Sequence, residues 1–428
     1  MTIILGDIEP TASEIVAAGL FCVAVLHTFS TRYFQHLARL QPTHAGFWHL
    51  LGEVEVVFGF WAAILLLFLT AHEGVPGALH YLESSRFTEP AFIFVIMVVA
   101  ASRPVVDFAG AAIRGIAQAL PLRPALSYYL TVLSIGPLLG SFITEPAAMT
   151  LSAMLLRERY FSANAPAAFK YATLGVLLVN VSIGGTLTPF AAPPILMVAE
   201  RWGWDFPFML QAFGWKAALA VAINAIGSTA LFRSFLNDIP TTSPALSSPE
   251  VPWSVIAIHL VLLAGIVIAS HHLVVFAGLF LLFLGFTEAY RKYQSRLILR
   301  EGLLVGFFLG GLVVLGGLQQ WWLQPLISSM GAHPLYYGAT LLTAITDNAA
   351  LTYLGSLVTG MSAETKYALV AGAVTGGGLT VIANAPNPAA FAILKETFED
   401  GAISPLWLAV SATPPTLVAI AGFQLLPG

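Results

Sequence analysis

Two short runs set an acid beside a hydroxyl or an amide within otherwise apolar chain: Thr144-Glu145-Pro146-Ala147-Ala148 and Thr346-Asp347-Asn348-Ala349-Ala350. A charged side chain at membrane depth costs about 2.5 to 3.5 kcal/mol on insertion scales, a cost usually tied to function. Burial disfavours the charged carboxylate, so a proton and a hard cation can compete for it. The oxygens of Thr144, Thr346 and Asn348 are the neutral ligands that such a cation accepts. The plainer reading is that Glu145 and Asp347 each cap a helix. The functional reading is preferred, because the two acids occupy equivalent positions.

Each acidic run is followed by a glycine-rich interruption. The first is Gly184-Gly185-Thr186-Leu187-Thr188-Pro189 and continues to Pro194; the second is Gly376-Gly377-Gly378-Leu379-Thr380 and continues through Asn384 to Pro386. The order is the same in both cases, and the longer Arg157 to Pro166 loop accounts for much of the difference in spacing. Unwound backbone survives in hydrocarbon only where it surrounds a cavity or a ligand. Half-helix N-termini then attract anions, while freed carbonyls and Thr or Asn oxygens ligate a hard cation. Four such breaks meeting near the bilayer midplane make an ion site.

The elements that must hold these breaks are membrane spans. The 428 residues are 57% hydrophobic and only 9% charged, with a mean hydropathy of +0.83, far from the roughly 25% charged of soluble domains. Cys22 is the lone cysteine, which excludes internal disulfides and thiolate zinc sites, and a net charge of −4 without a basic face gives no reason to expect nucleic acid as a partner. Hydropathy and helix breakers predict spans near Ser13–Phe29, Phe47–Ala71, Pro90–Gln118, Ala167–Arg201 and Phe208–Phe235. In the second half they predict Trp253–Ser270, His271–Tyr290, Glu301–Trp322, Thr365–Glu399 and Pro405–Leu426.

The two acid-bearing segments, 124–159 and 334–360, are read as re-entrant hairpins. If the first crossed once, Arg123 would lie across the membrane from Arg157 and Arg159; entering and leaving by one face keeps Arg114, Arg123, Arg157, Arg159 and Lys170 together inside. A second hairpin from the outer face also puts Arg32, Arg39, Arg233, Arg291, Lys292, Arg296, Arg300 and Lys395 inside. The expected fold is an all-α polytopic membrane protein built as an inverted repeat. Residues 1–235 form one half of five spans and 253–428 the other, each with a hairpin and one discontinuous helix, joined by the Pro- and Ser-rich linker 236–252. Both termini are expected outside, and acids where a signal peptide would carry bases predict a retained first span.

Other polar residues have simpler readings. Asp107 and Arg103 can pair at i,i+4, with Asp107 kept as a secondary site candidate. Asn180 and Ser182 either line the cavity or bond neighbouring helices. His49 and Glu53 share a face, but without a His-Glu-x-x-His pattern the interfacial reading is preferred.

An acidic hairpin tip followed by a Gly-Gly break that ends in Pro-Pro or Ala-Pro resembles the ion-transporter superfamily of sodium/proton antiporters, arsenite exporters and dicarboxylate carriers. Within it the chain is most similar, over nearly its whole length, to the bacterial putative Na⁺/H⁺ antiporter family. Thr346, Asp347 and Asn348 match the second hairpin tip; Gly184, Gly185, Thr186 and Thr188 match the first unwound helix, and Gly377, Gly378, Thr380 and Asn384 the second. The resemblance implies a fixed scaffold, a moving transport domain carrying both hairpins, and a homodimer in the bacterial inner membrane. It further implies Na⁺ as transported ion, held at Glu145, Asp347 and Asn348, with no cofactor. Many relatives carry Asp-Asn in the first hairpin too, where this chain has Glu145-Pro146, which keeps the carboxylate, removes an amide ligand and makes Asp347 the preferred of the two acids.

The expected activity is therefore exchange of Na⁺ or Li⁺ for H⁺ by alternating access. The alternative keeps the architecture but carries a carboxylate or oxyanion on half-helix N-termini, with Na⁺ or H⁺ coupled. A hydrolase is disfavoured by the lack of a Gly-x-Ser-x-Gly elbow or a zinc motif in the spans.

Overall fold

The computed structural model describes residues 9–161, 165–239 and 251–427. The first eight residues, most of the 236–252 linker and the last residue, on which the expectations for the termini and the join rest, lie outside the described residues. All regular structure among the described residues is helical.

Helices of eight or more residues in the first half are α1 (Ala12–Leu40), α2 (Val54–Ser84), α3 (Thr88–Ala100), α4 (Arg103–Ala119), α5 (Pro124–Ile143), α6 (Glu145–Tyr160), α7 (Ala167–Gly184), α8 (Pro193–Trp202) and α9 (Trp215–Leu231). The second half has α10 (Trp253–Ile268), α11 (Leu273–Ala289), α12 (Leu299–Gly316), α13 (Gln320–Ser328), α14 (Ala332–Thr343), α15 (Asn348–Ser356), α16 (Ala363–Gly376), α17 (Asn387–Leu394) and α18 (Pro405–Leu425).

Among the described residues, seven helical segments are long and apolar enough to cross a bilayer, or eight if α3 and α4 form one span bent by 66°. The chain is thus a polytopic, all-helical membrane protein. Ten spans were expected, one in each half discontinuous, and local chemistry explains the difference. Pro104 has no N–H to offer the Ala100 carbonyl, so α3 stops at Ala100 and α4 restarts after Ser102. The run from Phe47 to Ala71 is split at Glu53, and α2 runs on to Ser84 through a kink at Gly74 (φ 79°) beside Pro76. α10 and α11 span only 16 and 17 residues, and α16 is cut to 14 by the second glycine break.

The chain forms two compact units. The first comprises Met1–Phe94, Leu299–Gly331 and Tyr353–Thr365. Its core is the packing of α2 against α1 and α12. A Cβ on Gly311 would collide with the backbone of Phe58 and Gly59, so the bare glycine is what lets α12 approach α2. Arg300 bonds Glu53 at 2.7 Å, which gives Glu53 an ion-pair role in place of the metal pairing weighed with His49.

The second unit comprises Val95–Ile298, Ala332–Thr352 and Lys366–Gly428 and contains both acidic runs and both glycine breaks. Its central helix is α7, whose span is 78% buried by α5, α9 and α18. Prolines leave carbonyls in this packing that side chains recover. Pro137 cannot donate to the Leu133 carbonyl, and Asn180 Nδ2 donates to it instead at 2.8 Å. Asn224 then joins three helices, donating to Asn180 Oδ1 at 2.9 Å and to the Pro415 carbonyl at 3.2 Å.

Candidate functional site

α5 and α6 pack antiparallel. Tyr160 Oη donates to the Ala125 carbonyl at 2.5 Å, while Gly136 abuts Ser152 and Gly140 abuts Ala148 nearer the turn. The reversal rests on one residue, Thr144, at φ 69° and ψ 150°, a region almost reserved for glycine that costs roughly 1–3 kcal/mol. It is the one non-glycine at positive φ among the described residues. Glu145 begins α6, with Pro146 suited to its first turn.

Glu145 is fully buried. Its Oε2 accepts from Asn384 Nδ2 at 2.9 Å, while Oε1 has no hydrogen-bond partner. The carboxylate lies against Gly185, where any Cβ would collide with Oε1. The first break is held from α5. Ser141 Oγ donates to the Gly184 carbonyl at 2.7 Å and accepts from the Leu187 N–H at 2.9 Å, and Thr188 Oγ1 donates to the Ser141 carbonyl at 2.6 Å. Thr186 bonds within its own turn, to the Ile183 carbonyl.

The second set is arranged alike. Gly376 lies on the Thr340 carbonyl of α14 as Gly184 lies on the Pro137 carbonyl of α5. Thr380 Oγ1 donates to the Ala344 carbonyl at 2.7 Å, and Thr346 bonds back to Leu342. Asp347 is half-buried; its Oδ1 accepts from the N–H groups of Ala349 and Ala350 at 2.8 and 3.1 Å, so it caps α15. The fully buried residue at this tip is Asn348. Its backbone N–H donates to the Ala383 carbonyl at 3.1 Å, its amide atoms have no partner, and it lies against Gly377, where a Cβ would come within 2.9 Å of Nδ2.

The two glycine breaks also meet each other. Ser182 Oγ donates to the Val374 carbonyl at 2.7 Å, and a Cβ on Gly378 would strike the Val179 backbone. All four breaks therefore converge within the second unit, and Asp347 is close enough to Glu145 for their charges to interact. Around this point Glu145 Oε1, Asn348 Oδ1, Asn384 Oδ1, Asn387 Oδ1 and Thr144 Oγ1 are buried and unpaired. Each such group costs about 1–3 kcal/mol. Asn348 Nδ2 is unpaired there as well, but the set is mostly oxygen, and with one sealed carboxylate it suits a hard cation or a proton.

Most residues marked from the sequence thus lie at the convergence, but with different duties. Glu145, Asn348 and Asn384 present unpaired oxygens; Gly185 and Gly377 make room for the first two; Thr188 and Thr380 tie the breaks to α5 and α14. Asn180 and Ser182 bond neighbouring helices, the second of their two open readings, and Asp107 pairs with Arg103 at 3.3 Å. Sequence reading missed Ser141, Asn224 and Asn387. A proline within a helix signals a carbonyl needing an outside donor, which was the available clue to the duty of Asn180; no such signal marked Ser141 or Asn224, and Asn387 stands just past the break in Asn384-Ala385-Pro386-Asn387-Pro388.

A search of curated proteins found no match to this chain. A family model described as Putative Na+/H+ antiporter matches residues 12–426, and a chain with this membrane fold and match belongs to that family.

Proposed function

We propose that the protein exchanges Na⁺ or Li⁺ for H⁺ across the bacterial inner membrane by alternating access, with cation and proton competing for Glu145. Family membership supports cation/proton antiport in general. The observation that carries the specific reading is the sealed Glu145 carboxylate, with an unpaired Oε1 among unpaired amide oxygens. Without a counter-ion its charge is costly at that depth. A proton neutralises it directly, and Na⁺ does so while drawing in the oxygens of Asn348, Asn384 and Thr144. Asp347 keeps α15 in place and adds negative potential that favours either cation.

The repeated contacts support an inverted repeat. Pro137 with Gly184 corresponds to Thr340 with Gly376, Glu145 with Gly185 to Asn348 with Gly377, and Thr188 with α5 to Thr380 with the end of α14. In this reading each acidic run is the tip of a re-entrant hairpin, five spans complete each half, both termini lie outside, and the protein works as a homodimer. Carriage of a carboxylate or oxyanion is disfavoured, because the unpaired buried atoms at the site are mostly oxygens, with Asn348 Nδ2 the one unpaired nitrogen described among them, and Arg103 is engaged by Asp107.

Everted vesicles or proteoliposomes with an internal pH dye test the proposal. Added Na⁺ or Li⁺ should collapse an imposed pH gradient with wild-type protein and not with Glu145→Gln. Equal, cation-independent traces from both would exclude it.

A further inference from the structure

Asn387 is the buried polar residue at the convergence that exchange at Glu145 does not by itself account for. It opens α17, directly after the second break, and is fully buried. Both hydrogens of its Nδ2 are committed to the unwound segment, to the Gly377 carbonyl at 2.8 Å and the Thr380 carbonyl at 2.7 Å. Its backbone N–H donates to the Asn384 carbonyl at 3.0 Å, placing it one turn from the residue that holds Glu145. Two donor bonds from one nitrogen fix the plane of the amide, leaving Oδ1 turned away from them, buried and unpaired. Gly377, whose carbonyl it holds, is also the residue against which the Asn348 amide rests.

We infer that Asn387 is a positioning and specificity-determining residue of the exchanger: it holds the Gly377–Thr380 segment in the shape that seats Asn348, and offers Oδ1 to the cation as a further neutral ligand. The inference rests on the antiport reading. Neutral oxygens set how well a cation of given radius is satisfied, whereas the carboxylate neutralises any monovalent charge. Removing this amide should therefore change which cation is preferred more than whether exchange occurs.

The test is exchange in proteoliposomes across a range of Na⁺ and of Li⁺, with wild type and Asn387→Ala. The expected result is a half-saturating Na⁺ concentration raised by about tenfold or more, as for groups that orient metal ligands. The ratio of Na⁺ to Li⁺ half-saturation should shift, with the maximal rate changed little. A lower maximal rate at unchanged half-saturation and unchanged ratio, or no change at all, overturns the inference while leaving antiport intact. Wild type that fails to respond to either ion overturns both. A thermal-shift titration guards against misfolding: Na⁺ should stabilise the solubilised wild type, and Asn387→Ala should need more Na⁺ for the same stabilisation. Equal titration curves count against the inference.

Discussion

The two helix tips share a sequence pattern, yet they use it one residue out of step. Aligned on their Ala-Ala pairs, Glu145 stands opposite Asp347. In the fold the counterpart of Glu145 is Asn348: each begins the helix after the turn, each is fully buried, and each rests on the second glycine of its break, Gly185 or Gly377. Thr144 and Asp347 are the matching preceding residues. Asp347 caps its helix with its carboxylate, whereas Thr144 makes no cap bond and adopts a strained backbone. One tip thus seals a charge behind a strained turn, and the other seals a neutral amide behind a well-capped one. Two similar motifs can divide charge and coordination between them.

The largest effect should separate the two acids. Glu145→Gln is expected to reduce Na⁺-dependent collapse of a pH gradient to background, while Asp347→Asn, which keeps a good capping side chain, should retain most of it. Equal loss in both would break the comparison and return Asp347 to the exchange chemistry.

The two glycines come next. Gly185→Ala puts a methyl group onto Glu145, and Gly377→Ala puts one onto Ser182 and Asn348. Each should destabilise the solubilised protein by about 1–3 kcal/mol, the usual cost of overpacking, and weaken the cation response. Ion-dependent thermal shifts measure both, and an unaffected Gly377→Ala would remove Asn348 from the site.

Smaller effects of opposite sign should follow at the preceding positions. Thr144→Gly relieves a glycine-type backbone and should raise stability by about 1 kcal/mol, whereas Asp347→Ala loses a cap and should lower it by about 1 kcal/mol. Thermal midpoints moving in the same direction would mean that the turns are not built as described. The least effect on exchange is expected from helix packing away from the breaks: Asn180→Ala leaves the Leu133 carbonyl without its donor, costing about 1–3 kcal/mol of stability, while exchange by the folded fraction persists.

Much of the membrane architecture was legible because apolar run length, prolines and glycines act locally. The interruptions at Thr144, at 185–192, at 344–347 and at 377–386 all fall where the breakers predict. The bend at Ser102 was not read, since it depends on where one proline falls within a long apolar run, and the extension of α2 past Ala71 was not read because that stretch carries His72, Glu73, Gly74 and Pro76, which read as a break. At the site, residue types were legible and their duties were not. Asn180 reads equally as a cavity lining or a helix bond until the carbonyl freed by Pro137 is found beside it. Asn387 lies outside the repeated motif, and only folding brings its amide onto Gly377 and Thr380.

Composition and residue order alone determined a many-helix membrane chain with two acid-bearing tips and two glycine breaks, because hydropathy and backbone propensity are properties of short segments. Which oxygen is sealed and which is used as a cap was decided by tertiary structure. Burial and hydrogen bonding at Glu145, Asp347 and Asn348 depend on partners as distant in sequence as Asn384 is from Glu145. A one-residue difference in where a helix begins exchanges the buried position for the capping one.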